Sequence, residues 1–159
     1  MDKEFNDKCL QERTITIKSS VTPLKRKEDI HLVAEKHMNS AHYFREGTTF
    51  MLQSKTPLLA VLLGYFSMEH KANQILALHG YKVESHICTQ LAISRIIGRK
   101  DLAQELSAIF DERQNIGYRL FMRENEDEQK KAREIVEKRI IPFVEEIDNL
   151  IKEKIEKEK

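Results

Sequence analysis

PLLAVLLGYFSMEHKANQILALHG, residues 57–80, decides the fold. Its first half is apolar on nearly every face, which a surface helix does not tolerate. The segment therefore reads as the central helix of a bundle, with Leu59, Leu62, Leu63 and Phe66 expected in the core. Thr56-Pro57 opens it, because threonine can cap orphan amides and proline at the first helical position loses no hydrogen bond. Gly80 ends it by accepting the left-handed conformation. The apolar run 57–66 is about half the roughly 20 residues that a bilayer crossing needs, so no membrane span is expected. Along one stripe, Leu59, Leu63, Phe66, His70, Asn73 and Ala77, the helix turns polar at His70 and Asn73, a pattern that suggests a polar pocket.

The flanking segments complete the bundle. Thr22-Pro23 repeats the start signal, so a first helix is expected over residues 23–53. Its seam is Ile30, Ala34, His37, Ala41, Phe44, Thr48 and Met51. A third helix follows Ser85 and stops near Gly98. A fourth starts at Asp101, with Gln104 completing a capping-box-like pair, and runs to about residue 122. The fifth starts after Asn125 and continues to the end of the chain, bent or broken at Pro142. Residues 1–21 fit no helix; RTITIK alternates, so the arm is extended or disordered. The expectation is one all-α domain over residues 22–159, an up-and-down bundle of about five helices, preceded by an irregular N-terminal arm.

Composition excludes several classes. The 159 residues carry 27 Lys+Arg against 26 Asp+Glu, a net charge of +1. Any binding of nucleic acid must therefore come from a local patch. MDKEFNDKC lacks the apolar core of a signal peptide. Cys9 and Cys88 form no zinc spacing, and two reduced thiols in a cytoplasmic protein are expected. Glu28 and His31 form the only Glu-x-x-His, so a di-iron centre is not expected, nor another metal or cofactor. There is no phosphate-binding glycine loop and no GxSxG elbow.

FDERQNIGYRLF, residues 110–121, poses a different problem. The seam of the fourth helix runs Leu102, Leu106, Ile109, Arg113, Ile116 and Leu120, so Arg113 holds a core slot. A buried unpaired guanidinium costs several kcal/mol and needs a carboxylate, a partner chain or a phosphate. The plainer alternative is a snorkelling arginine whose head reaches Glu69, Asp111 or water. Tyr118 lies about 140° around the helix from Arg113, so the two share a cleft only if the turn through Asn115 and Gly117 is distorted or a symmetry-related copy completes it.

YFSMEHKANQILALHGYKVESH, residues 65–86, resembles the second helix and following turn of HEPN domains, prokaryotic proteins often encoded beside minimal nucleotidyltransferases. Tyr65, Phe66, Ser67, His70, Ala72, Ile75, Leu76, Gly80, Ser85 and His86 carry the resemblance, which spans roughly residues 24–151. The family signature on the fourth helix is an arginine followed four to six residues later by histidine, forming a metal-independent RNase site at a dimer interface. Arg113 matches the arginine and Asn115 is of the kind found inside the motif, whereas position 118 is Tyr. The resemblance implies a homodimer that binds RNA or nucleotide through Arg113, Asn115, Tyr118, His70 and Asn73. It also implies a nucleotidyltransferase partner of the toxin–antitoxin kind. Arg113 and Tyr118 stand in the catalytic places. Tyrosine titrates near about 10 and histidine near about 6.5, so Tyr118 is a poor base and cleavage is expected to be weak or lost. Two other readings stand beside this one: a non-catalytic helical dimerisation or scaffold module, and residual RNase activity with His70 or His86 in place of the absent histidine.

Overall fold

Leu58, Val61, Tyr65, Met68, Ala72 and Ile75 are buried at spacings of three and four along one helix, Pro57–Leu78, which makes it the central element. The computed structural model describes residues 5, 9–10, 20–54, 56–119 and 125–158, the side chains of residues 117–119 excepted. In chain order the elements are β1 (Val21–Pro23), α1 (Lys27–Gln53), α2 (Pro57–Leu78), β2 (Tyr81–Val83), α3 (His86–Ala92), α4 (Lys100–Arg119), α5 (Glu126–Ile135) and α6 (Ile141–Lys157). A π-helical turn, Ile93–Ile97, extends α3, and another, Val136–Ile140, joins α5 to α6. Five helical rods result among the described residues, so the chain is an all-α bundle with one small ribbon.

The ribbon corrects the expected start of the first helix. Thr22 and Pro23 lie in β1, which pairs antiparallel with β2 in the register Val21↔Val83, Thr22↔Lys82 and Pro23↔Tyr81. A proline can sit on the edge of a two-stranded ribbon because it owes no hydrogen bond there. Gly80, at φ +84°, turns α2 back toward β1, and its carbonyl accepts the Leu24 N–H at 2.7 Å. Helix α1 instead begins at Lys27, with Glu28 and Asp29 in its first turn and Asp29 gripped by both Arg26 donors.

The start of α2 is as expected, with Thr56 in the N-cap place and Pro57 at its head, although the Thr56 side chain caps no amide. At the other proline, the π turn stands immediately before Ile141-Pro142. Pro142 offers no amide to the preceding turn, and the wider turn keeps α5 and α6 one rod. Gly64 of α2 packs against that turn. A Cβ there would stand 2.7 Å from Cδ1 and 3.0 Å from Cγ2 of Ile140, so the glycine leaves room for that side chain.

Two further expectations are corrected. Leu59, Leu62, Leu63 and Phe66 are half-buried, while Leu58, Ala60, Val61 and Tyr65 fill the core. Of this stripe, Leu63 meets Gly47 of α1, and Phe66 lies between Phe44 of α1 and Arg113 of α4. Cys9 and Cys88 are not free thiols. They form a disulfide with Cα atoms 5.6 Å apart, tying the N-terminal segment to α3.

Candidate functional site

The seam of α4 buries Leu102, Leu106, Ile109 and Ile116, so Arg113, in register with them, must point into the bundle. There its guanidinium carbon stands 4.8 Å from the ring centre of Phe66, 5.1 Å from that of Tyr65 and 5.6 Å from that of Phe110. Such cation–π contacts contribute about 0.5–2 kcal/mol each. They satisfy charge but not hydrogen bonding. Arg113 Nη1 is buried with no hydrogen-bond partner among the described residues. An unmet donor of this kind costs about 1–3 kcal/mol.

One turn after Tyr65 on α2 stands Glu69, which is buried. Its Oε1 contacts Nδ1 of His86, the first residue of α3. The Tyr65 hydroxyl lies 3.3 Å from the same nitrogen. The side chain of His86 is 42% exposed against 11% for Glu69, so the imidazole joins a buried carboxylate to the surface. Burial raises the Glu69 carboxyl above the usual range, and His86 and then Arg113 oppose that shift. Burial also raises the Tyr65 phenol, with Glu69 adding to the rise and Arg113 working against it. Arg113 thus places a positive charge beside one buried carboxyl and one buried phenol.

The structure separates the other candidates from this centre. His70 turns toward α1, where its Nδ1 lies 2.9 Å from Nδ1 of His37 and its ring stacks on Phe44 at 5.5 Å. Burial lowers the affinity of both imidazoles for protons, that of His37 to about 4 with help from His70 and Lys82. The pair is neutral near pH 7, one ring donating and the other accepting. Asn73 Oδ1 accepts from Thr89 Oγ1 at 3.0 Å, in a buried contact of α2 with α3. Asn115 is exposed on α4. Tyr118 contributes its backbone to α4, and its side chain lies outside the described residues, as do Leu120 and the expected end of the helix near residue 122.

Among the described residues, no cluster of three or more His, Cys, Asp or Glu could hold a metal ion, and no helix is long and apolar enough to cross a membrane. The chain matches no protein-family model, no curated protein and no solved structure.

Sequence reasoning placed Arg113 in the seam and named Glu69 as one carboxylate it could approach. It did not bring Tyr65, Phe110, Glu69 and His86 together as one contact cluster. The available signal was spacing: Tyr65 and Glu69 are four apart on α2, Phe110 and Arg113 three apart on α4, so each pair shares a helix face.

Proposed function

We propose that this chain is a HEPN-type helical homodimer that binds RNA or nucleotide through Arg113 and acts with a minimal nucleotidyltransferase partner of the toxin–antitoxin kind. The observation that carries the reading is Arg113 itself. Its charge is stacked among Tyr65, Phe66 and Phe110, and its Nη1 lacks a partner among the described residues. A phosphate oxygen answers the unmet donor as a charge-assisted acceptor. Cleavage by the fourth-helix pair is not part of this reading, because Tyr118 does not exchange protons readily near pH 7. The test is fluorescence anisotropy with a labelled single-stranded RNA, run on wild type and Arg113→Ala, beside sedimentation of both. A dimer whose RNA affinity drops at least tenfold on substitution supports the reading; a monomer, or unchanged affinity, removes it.

The second reading is a scaffold module without a nucleic-acid ligand. It is favoured by α1, where Tyr43 and Phe50, two turns apart, are 71% and 67% exposed. Aromatics at that spacing form one surface stripe of the kind that partner helices cover. RNA binding that survives in a dimer-competent Tyr43→Ser/Phe50→Ser variant separates the two.

A further inference from the structure

We propose that the cavity lined by the His37–His70 pair binds a small organic monocarboxylate with an apolar body. The cavity encloses about 340 Å³ where α1 and α2 meet the ribbon, with Lys82 of β2 on its wall. That volume is at the small end of the roughly 300–1,000 Å³ typical of ligand sites. Arg113 does not line it, so the proposal stands apart from the RNA-binding reading.

Three observations set the chemistry of the ligand. The first is the aliphatic lining, to which Leu24, Leu32 and Val33 contribute. Leu32 is 52% exposed, and an apolar body laid against it removes that surface from water.

The second is a count of charges. Asp29, Lys36 and Lys82 are the charged residues of the lining. Asp29 is held by Arg26, and Lys82 by Glu84. Lys36, exposed on α1, has no hydrogen bond or ion pair among the described residues. One positive charge is therefore left uncompensated, and its complement is a single negative charge.

The third is the histidine pair. One ring gives its Nδ1 proton to the Nδ1 of the other, so the accepting neutral ring must carry its own proton on Nε2. Neither Nε2 bonds to a described residue. Arg113 Nη1 is the one side-chain donor both sealed from solvent and unpaired among the described residues, so both Nε2 atoms remain reachable. The pair thus adds one neutral N–H donor to the charge of Lys36. A carboxylate accepts from both, and its apolar body covers Leu24, Leu32 and Val33. A phosphate dianion carries a second charge that this lining does not match, and burying it unpaired is costly.

The experiment titrates the full chain with benzoate, hexanoate, benzamide and phenyl phosphate, following backbone and imidazole signals by nuclear magnetic resonance. Benzoate and hexanoate are expected to shift the His37 and His70 signals saturably. Benzamide and phenyl phosphate should bind more weakly. Lys36→Gln should lower benzoate affinity about tenfold, as loss of one charge-assisted hydrogen bond does, and leave benzamide affinity unchanged. Ser40→Phe, which places a ring in the cavity, should abolish binding of both carboxylates, with melting curves confirming that the variant folds. Three results overturn the proposal: no saturable shift at His37 or His70 with either carboxylate, equal benzoate affinity in wild type and Lys36→Gln, or a preference for phenyl phosphate.

Discussion

The guanidinium of Arg113 stands 4.8 Å from the ring centre of Phe66, and Phe66 in turn lies 5.1 Å from Phe44. One half-buried aromatic thus separates two polar centres. On the α4 side is a cation with an unmet donor; on the α1 side is a neutral histidine pair. The two centres should respond differently to substitution and to pH.

Arg113→Met should destabilise the fold by about 1–2 kcal/mol. It removes the orphan Nη1, worth about 1–3 kcal/mol, but gives up cation–π contacts to three rings of about 0.5–2 kcal/mol each. It also takes from the buried Glu69 carboxyl a charge that opposes the effect of its burial, and removing one of two buried charged partners is destabilising. Urea denaturation checks this; a loss above about 2 kcal/mol would mean that Arg113 is a structural residue.

The His37–His70 pair should make stability fall on the acid side. In the folded chain burial holds His37 to about 4, whereas an unfolded histidine titrates near about 6.5. Between those values the unfolded state binds the proton and the folded state does not, so stability drops as pH falls from about 6.5 to about 4. His37→Gln should flatten this dependence. Melting temperatures at pH 7 and pH 5 provide the comparison, and an unchanged slope in the variant contradicts the assignment.

Gly64→Ala should destabilise by about 1–3 kcal/mol, because its Cβ would stand 2.7 Å from Cδ1 and 3.0 Å from Cγ2 of the buried Ile140. Ile140→Val removes the first of these contacts. The double variant should therefore be more stable than the sum of the two single losses predicts. Strict additivity in denaturant titrations would place the strain elsewhere.

Reduction of the Cys9–Cys88 disulfide should lower stability by about 2–4 kcal/mol, since the bond closes a loop of sequence separation 79. Thermal melts with and without reductant read this directly. Equal melting temperatures, with the intact mass showing the bond formed, contradict the prediction.

The helices were legible because their signals are local. The seams of α1 and α4 follow helical spacing, and Gly80 and Gly98 end their segments at positive φ. What escaped depended on distant partners. Thr22-Pro23 reads as a helix start until β2 lies beside it, and nothing near Cys9 announces Cys88. Phe66 was expected in the core because α2 is apolar all round there, but apolar periodicity does not say which face a neighbouring helix leaves uncovered. The site divides in the same way. Arg113 stood out as a charge in an apolar stripe, whereas the bond between Glu69 and His86 joins two helices across a turn and a strand.

The most direct measurement of the central claim is the salt dependence of RNA affinity for wild type and Arg113→Ala. If each Arg113 neutralises one phosphate, the slope of log K against log salt should become shallower by about 0.7 per subunit in the variant, the value for one contact to a single strand. Identical slopes for the two proteins would contradict the account, because Arg113 would then release no counterion and could not be the phosphate contact.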